Sequence, residues 1–464
     1  MIKHKRKAFF MFIKFFPRSI RKYLHMTRRQ RKHEVQLNLW MMPSLYIAGT
    51  IILVAIPLLL DLYFDLPAKT TGFFNASASN TGTLVSALVS GTLLLAAYTL
   101  NSILVVLTSF SSEYSPRMLF NFISDRTTQH ILGLFYGSFV FMLVSFLFVT
   151  NSSRDYFTAV PISCTIVTLT AVIAFAIFVN HTTTWMQMHN IVDAMKSESE
   201  RIIQTTLIDE LEPYRRDEPG YTFEDYPGYT YKASNSGYIQ LINFVDMIKQ
   251  AKEDDVIVRL DAKAGDFVLK GNRLFSYRGP GAQDLQIGKY SKMIQIGHKR
   301  SEIQDVDMSM NKLSEIAIKS IGNDDPTSAI NTFHQMADLM INMDASTTLH
   351  PYLQDEDGQT RVVYNTVTFS TYLHEGFGRI RHYTQKDYLL IVEMIQIFIR
   401  MADSISEKNH SIIWEFVQDT IFHIPQTAFY RSDRIRLLHC LKQLADVTGK
   451  EMDYYELERH LQPN

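Results

Sequence analysis

One face of a long apolar segment carries polar side chains that could form a permeation path. Its members are Ser86, Ser90, Asn101, Thr108 and Ser112. At about 100° per residue they fall within an arc of roughly 80°, as residues on one helical face do. This pattern predicts pore-lining residues in an oligomer, and an amide within a span needs hydrogen-bond partners. Leu94 and Val105 interrupt the face, which favours the alternative of close helix packing through small and hydroxylated residues.

A second group of chemistry-bearing residues follows directly along the chain. It consists of Ser115, Pro116, Arg117, Asp125 and Arg126. A proline ends or kinks a helix, so these residues are predicted to stand at a membrane boundary. The stretch between Pro116 and Asp125 either lies in the interface or simply connects two spans, and the sequence leaves both interpretations open.

A third polar group lies in the C-terminal half. It consists of Arg300, Gln304, Asp305 and Asp325. A guanidinium such as that of Arg300 can bind a phosphate or a carboxylate. The alternative is a buried ion pair or a helix cap, and the pair Asp325-Pro326 fits an N-cap followed by the first helical residue.

Motifs for catalysis and cofactor binding are missing from the sequence. We find no phosphate-binding loop, no dinucleotide fingerprint, no HExxH and no nucleophile elbow. His374 and His382 are separated by Arg379 and Arg381, and flanking cations disfavour a metal site. We therefore expect no catalytic residue, no metal, no cofactor and no enzymatic activity.

Four apolar runs must position the first group of residues. They cover about residues 39–60, 84–110, 130–150 and 156–180, and each lacks Asp, Glu, Lys and Arg. Because about 20 apolar residues span a bilayer, the runs predict a four-helix transmembrane domain over residues 34–180. The lack of ionisable groups argues against proton-coupled transport and leaves a passive path open.

The formal net charge of −1 hides a strong segregation of charge along the chain. Residues 1–33 hold 12 Lys or Arg and no acid, whereas residues 181–464 hold 30 basic and 41 acidic residues. The basic arm, which is also rich in Phe, predicts an interfacial segment with a cytoplasmic N-terminus. After four spans the C-terminus is then cytoplasmic as well. The acidic half argues against nucleic acid as a partner, and two isolated cysteines imply no disulfide framework.

The motifs Ser115-Pro116-Arg117, Leu132-Gly133 to Gly137, Ser236 to Gln240, and Gly265 to Val268 occur in the order seen in a bacterial family. The chain resembles this family of predicted membrane proteins, catalogued as domain of unknown function 2254. The likeness covers most of residues 34–400. It implies a multi-span inner-membrane protein with a cytoplasmic C-terminal half, and it implies no established activity or catalytic residue. The chain departs from the family pattern at Ile321 to Asp324.

The C-terminal half is predicted to be a mixed α and β region. Residues 181–212 continue the fourth span as a connecting helix without Gly or Pro before Pro213. Residues 213–285 contain short alternating strands and a Gly-Asp turn, so we expect a small barrel-sandwich-like unit. Residues 286–464 read mainly as helices that form a bundle.

Two functions remain open at this point. The first is an oligomeric, channel-like or transport-related membrane protein for a small ion or solute, gated or assembled by its cytoplasmic half. The second is a membrane-anchored sensor or scaffold that binds a ligand or a protein through that half. The lipid bilayer and further copies of the chain are the expected partners, and the bacterial inner membrane is the expected location.

Overall fold

A computed structural model describes residues 40–70, 72–113, 125–185, 187–219, 225–300, 304, 306–365, 367–384, 387–425 and 429–461. The basic arm 1–33 lies outside these residues. The chain divides into two compact units, which meet in sequence between Gln187 and Met188. The predicted combination of apolar helices with a helical and sheet-containing remainder is confirmed.

The first unit holds four helices that are long and apolar enough to span a membrane, counted over the described residues. They are α1 (Met41–Leu62), α3 (Ala78–Glu113), α4 (Arg126–Thr150) and α5 (Ala159–Trp185), and the short helix α2 (Leu66–Lys69) follows α1. Two-residue strands β1 (Ala76–Ser77) and β2 (Tyr156–Phe157) pair in antiparallel fashion just before α3 and α5. This pairing places the first residues of α3 and α5 at the same end of the unit.

A buried carboxylate joins α1 to α5. Asp61 is 1% exposed, and its two oxygens accept hydrogen bonds from the backbone amides of Thr158, Ala159 and Val160 at 3.1, 2.9 and 2.8 Å. These amides open α5, where backbone N–H groups lack partners within the helix and the helix dipole is positive. The helix α1 extends through Asp61, which lies just past the predicted apolar run of residues 39–60.

Two glycines let α1 and α4 pack closely. A Cβ atom at Gly133 would lie 2.5 Å from Tyr46 Cδ2, and one at Gly137 would lie 2.8 Å from Thr50 Oγ1. Gly133 and Gly137 are four residues apart and share one face of α4, as in the small-residue contacts common between membrane helices. The segment that carries the family resemblance therefore forms a helix contact.

The second unit begins with α6 (Met188–Ile202) and a π-helix (Ile203–Leu211). We predicted that the helix of the fourth span continues without interruption. In the structure α5 ends at Trp185, and Gln187 lies in a bend before α6 begins. After a short 3₁₀ turn, the remaining elements up to residue 297 are β3 (Arg215–Arg216), β4 (Tyr229–Lys232), β5 (Gly237–Ile242), α7 (Phe244–Glu253), β6 (Ile257–Leu260), β7 (Phe267–Val268), β8 (Arg273–Arg278), α8 (Ile287–Met293) and β9 (Ile294–Gly297).

The C-terminal portion of this unit is mainly helical. Its elements are α9 (Val306–Gly322), α10 (Pro326–Ser346), β10 (Tyr352–Gln354), β11 (Thr360–Tyr364), α11 (Phe369–Leu373), α12 (Arg379–Tyr383), α13 (Tyr388–Ala402), α14 (His410–Phe422), α15 (Arg431–Thr448) and α16 (Glu451–Leu461). A single π-helical turn, His374–Gly378, joins α11 to α12. Buried Phe333, Phe377, Phe398 and Trp414 lie in the core of this portion.

The strands form two open sheets instead of a barrel. The six-stranded sheet has the order β3-β10-β11-β6-β8-β4, and the three-stranded sheet has the order β7-β5-β9. Neither sheet closes among the described residues, so the barrel-sandwich expectation is not confirmed. The main reason is the parallel pairing of β11 with β6, which brings residues from far along the chain into the sheet.

The segment from Phe267 to Arg278 forms two strands, β7 and β8. Gly271 adopts φ +93°, a conformation that glycine accepts at little cost and that other residues rarely adopt. The chain turns there, so that β7 joins the three-stranded sheet and β8 joins the six-stranded sheet.

Replacement of Asp61 tests its role in joining two spans. Asp61→Ala leaves three buried amides without an acceptor, and each hydrogen bond to a charged group contributes about 1.5–3 kcal/mol. We expect the variant to lower the free energy of unfolding by several kcal/mol, measured by denaturant titration in detergent micelles. Asp65→Ala is the control, because Asp65 forms a half-exposed ion pair with Arg154, and such pairs contribute about 1 kcal/mol or less. Equal losses in both variants would contradict this role.

Two glycine variants test the contact between α1 and α4. Gly133→Ala places a Cβ against the Tyr46 ring and should lower the thermal unfolding temperature, whereas Gly91 has open space around it. Gly91→Ala should leave this temperature unchanged or raise it, since alanine stabilises a helix by about 0.5–1 kcal/mol over glycine. The two unfolding temperatures are compared by tryptophan fluorescence in the same lipid. If Gly91→Ala has a lower unfolding temperature than Gly133→Ala, Gly133 is not required for close packing of α1 against α4.

Candidate functional site

The polar face predicted to line a pore points away from the other helices of the unit. Ser86, Ser90, Asn101 and Thr108 are exposed, whereas Thr92 and Thr99 on the opposite side of α3 are buried. The side chain of Ser112 lies outside the described residues. Ser90 Oγ donates to the Ser86 carbonyl at 3.2 Å, so these hydroxyls find acceptors within their own helix. A polar path through this face would require further copies of the chain.

The apolar part of α3 is longer than one membrane crossing requires. The candidate span Ala78–Thr108 has 31 residues, which is about 45 Å at about 1.5 Å per residue, whereas the hydrocarbon core is about 30 Å thick. Exposed Tyr63 and Tyr156 lie near the Asp61 contact, and exposed Tyr98 lies on α3.

Ser86, Ser90, Asn101 and Thr108 all lie within the candidate membrane span Ala78–Thr108. The interpretation of Asn101 as an amide inside the membrane therefore stays a prediction.

Part of the predicted membrane-boundary motif forms a cap. Ser115, Pro116 and Arg117 lie outside the described residues. Asp125 is the N-cap of α4 and accepts a hydrogen bond from the Thr128 amide at 3.0 Å. The His181 side chain of α5 contacts the same carboxylate at 2.9 Å, whereas Arg126 is exposed. Asp125 thus links α4 to α5 at the end of the unit opposite Asp61.

A small cavity in the second unit brings together residues that are distant in sequence. Its volume is about 60 Å³, which is roughly the space of four or five water molecules. Its walls come from the π-helix, the start of β3, the turn before β7, the start of α9 and the end of β11. The lining side chains include Thr206, Leu211, Arg215, Phe244, Lys263, Gln304, Asp307, Leu349, Tyr364 and Tyr372.

Arg215 is the most deeply buried cation of the cavity. Its side chain is 1% exposed, and it donates to Glu212 Oε2 at 3.1 Å and to the Tyr364 hydroxyl at 2.6 Å. Its Nε atom is buried and has no hydrogen-bond partner among the described residues. Burial raises the pKa of Tyr364 even though Arg215 acts in the opposite direction, so this hydroxyl stays neutral near pH 7. The Arg215 side chain therefore keeps one charged donor, and leaving it buried is costly unless a water molecule or a ligand accepts from it.

A second cation, Lys263, lies on the more exposed side of the cavity. It forms an ion pair with Asp307 at the start of α9, and Asp307 is the acidic side chain among the described lining residues. The pairs Lys263–Asp307 and Arg215–Glu212 balance both cations, and Arg215 Nε is the guanidinium donor that remains without a partner among the described residues. A ligand that offers an acceptor oxygen could bind this donor.

Two irregular backbone segments form part of the cavity wall. The π-helix of nine residues supplies Thr206, Leu207 and Leu211, and π-helical turns occur frequently at functional sites. Leu349 has φ +54°, a left-handed conformation that costs a non-glycine residue on the order of 1 kcal/mol or more. Such strain is found often at ligand-binding sites, and here it lies beside Arg215.

The predicted polar cluster of the C-terminal half serves several separate roles. Gln304 lines the cavity, but its amide is held by the backbone of Ile242, with Oε1 accepting from N and Nε2 donating to O, both at 2.8 Å. Asp325 caps α10 by accepting from the Ser328 amide at 3.1 Å, as the alternative reading predicts. Arg300 is half-buried, and Asp305 lies outside the described residues.

The residues that form the cavity belong to no recognisable sequence motif. Arg215 lies in a stretch that reads as a linker, and Lys263 precedes an ordinary Gly-Asp turn. Their only common signal is spatial, since β3 and β11 meet through β10 in one sheet. The structure also describes no group of three His, Cys, Asp or Glu side chains that could hold a metal, within the residues it covers.

Comparison with known proteins identifies similar chains without an assigned activity. Residues 36–400 match the family described as "Predicted membrane protein (DUF2254)". Uncharacterized protein Mb1321c of Mycobacterium bovis and uncharacterized protein Rv1290c of Mycobacterium tuberculosis are each 22% identical over 357 residues, which cover 73% of this chain and 67% of theirs. No solved structure matches the chain with significance.

Proposed function

We propose, since the chain belongs to the DUF2254 family of predicted membrane proteins, that it is a membrane-anchored receptor whose second unit binds a small anion. The observation that carries this proposal is the cavity around Arg215, where a buried guanidinium nitrogen has no partner among the described residues. Lys263 and Tyr372 also line this cavity and add polar groups to its wall.

The size of the cavity limits the ligand. A volume of about 60 Å³ is smaller than the roughly 300–1,000 Å³ of ordinary metabolite sites. Inorganic phosphate and a short carboxylate such as acetate are of suitable size and offer several acceptor oxygens. Such an anion would accept a hydrogen bond from Arg215 Nε and would compete with Asp307 for Lys263. Because Asp307 lies in the first turn of α9, anion binding would change the contacts at the start of this helix.

The membrane and its sidedness form part of the same proposal. The twelve cations of residues 1–33 support an N-terminus on the cytoplasmic side of a bacterial inner membrane. Four spans then return the chain to the cytoplasm, so the second unit would sense a cytoplasmic anion. This proposal corresponds to the membrane-anchored sensor that the sequence left open, and it adds a small anion as the class of ligand.

A second candidate function rests on the exposed small face of α3. Gly82, Ser86 and Ser90 recur every four residues there, and Gly82 has open space around it. On α4 the same spacing of small residues is covered by α1. Because small residues allow membrane helices to approach closely, a second copy of the chain would suit the uncovered face of α3. A homo-oligomer assembled in this way would place Ser86 and Ser90 along a channel-like path for a small ion or solute.

Anion binding is tested on the full chain in nanodiscs by thermal unfolding, with sodium phosphate and sodium acetate as probes. A ligand that binds only the folded state raises the unfolding temperature by mass action, and sodium chloride at equal ionic strength is the blank. We expect at least one of the two probes to stabilise the protein. Lys263→Gln should raise the apparent Kd about tenfold, and Ala264→Leu, which fills the cavity, should abolish the effect.

The control for this experiment is Lys270→Gln, which removes the same charge from an exposed turn of the same unit. It should bind the anion as the wild type does. The receptor proposal fails if phosphate and acetate have no more effect than chloride, or if Ala264→Leu, folded normally by circular dichroism, still responds.

Assembly through α3 is tested by oxidative cross-linking in liposomes. We expect Ser86→Cys to form a disulfide-linked dimer, because Ser86 lies on the uncovered face of α3. Ile52→Cys is the control, since Ile52 is exposed on α1 at a similar depth, about 14 Å from Asp61. The parent chain, whose two cysteines are free and buried, gives the blank. Equal dimer yields at both positions would argue against a specific α3 interface.

The same preparations separate an oligomer from a channel. A channel should release a trapped potassium or chloride gradient, and the flux should fall at least tenfold in Ser86→Leu and Ser90→Leu, but not in Ile52→Leu. Cross-linking at Ser86 without any flux would leave an oligomeric receptor and exclude the channel function for these ions.

A further inference from the structure

A groove on the helical portion of the second unit is large enough for a small organic molecule. Its volume is about 480 Å³, which falls within the range of ordinary ligand sites. It lies between the end of α12, the start of α13 and the end of α14. The side chains that matter for binding are Arg381, Tyr388, Ile391, Asp419, Thr420 and His423.

One end of the groove presents a positioned guanidinium. Arg381 Nη1 donates to Asp419 Oδ2 at 2.7 Å and to Thr420 Oγ1 at 3.4 Å. The guanidinium carbon stands 5.0 Å from the centroid of the Phe416 ring, a favourable cation–π arrangement. These contacts hold the Arg381 side chain through Nη1 and through the face of the guanidinium that lies against Phe416. They leave Nε and Nη2 without a hydrogen-bond partner among the described residues.

The other end of the groove is apolar. Half-buried Tyr388 lies on this side of the groove and packs against Phe429 with a centroid distance of 5.4 Å, while Ile391 and Ile424 are almost fully buried behind it. A fully hydrophilic anion, such as phosphate, would make no use of the Tyr388 ring. The two ends together therefore select for a ligand with one acidic group and a short apolar body.

We infer that this groove is a binding site for an amphipathic monocarboxylate, with the carboxylate on Arg381 and the apolar body on Tyr388. The guanidinium can pair with a carboxylate through two parallel hydrogen bonds, and His423 lines the same end. This site is separate from the cavity around Arg215, which is too small for such a ligand. The inference therefore does not depend on the function proposed above.

Benzoate binding to the full chain in nanodiscs, measured by isothermal titration calorimetry with empty nanodiscs as the blank, tests the inference. We expect saturable binding by the wild type and a Kd raised about tenfold in Arg381→Gln. Arg381→Lys keeps the charge but loses the planar fork, so its Kd should rise by about fivefold. This second variant decides the question if Arg381→Gln does not fold.

Two controls distinguish the groove from general effects. Arg436→Gln breaks another Arg–carboxylate pair of the same unit, with Glu393, and should change the Kd for benzoate less than twofold. Ala264→Leu should have no effect, because it fills only the smaller cavity. The inference is overturned if benzoate does not bind, if Arg436→Gln weakens binding as much as Arg381→Gln, or if phosphate binds as tightly as benzoate in an Arg381-dependent manner.

Discussion

The hydrogen bonds between Asp61 and the first amides of α5 are the constraint on which the membrane unit depends. Burying a carboxylate is unfavourable unless its oxygens accept hydrogen bonds. Here three backbone amides donate to the two oxygens of Asp61. The contact fixes where α1 ends and where α5 begins. The pairing of β1 with β2 then places α3 at the same level. Depth in the membrane can therefore be counted along each helix from one common end.

The polar residues of α3 form one regular face that could be predicted, because helical periodicity is local. The exposure of this face could not be predicted, since it depends on how α4 and α5 pack against α3. That packing buries Thr92 and Thr99 on the opposite side of the helix. Gly133 and Gly137 likewise show in the sequence as a motif, but only the partner residues Tyr46 and Thr50 explain it.

In the second unit, the predictions hold where the signal is local. The helix that begins at Pro326 and its cap at Asp325 follow from the residue types alone. The division into two strands at Gly271 and the open sheets do not follow, because strand pairing joins residues about a hundred positions apart. For the same reason the cavity could not be predicted. Arg215, Lys263 and Asp307 become neighbours only after β11 has joined the sheet.

The parallel pairing of β6 with β11 also sets an order for folding. Until residues 360–364 leave the ribosome, β6 can pair only with β8, and its other edge carries unpaired backbone groups. Such an edge readily pairs with other chains, and non-local strand pairing is slow. The nascent second unit therefore passes through a stage with an open sheet edge. A chain shortened before β11 would remain at that stage, prone to aggregation and proteolysis, even with every membrane span in place.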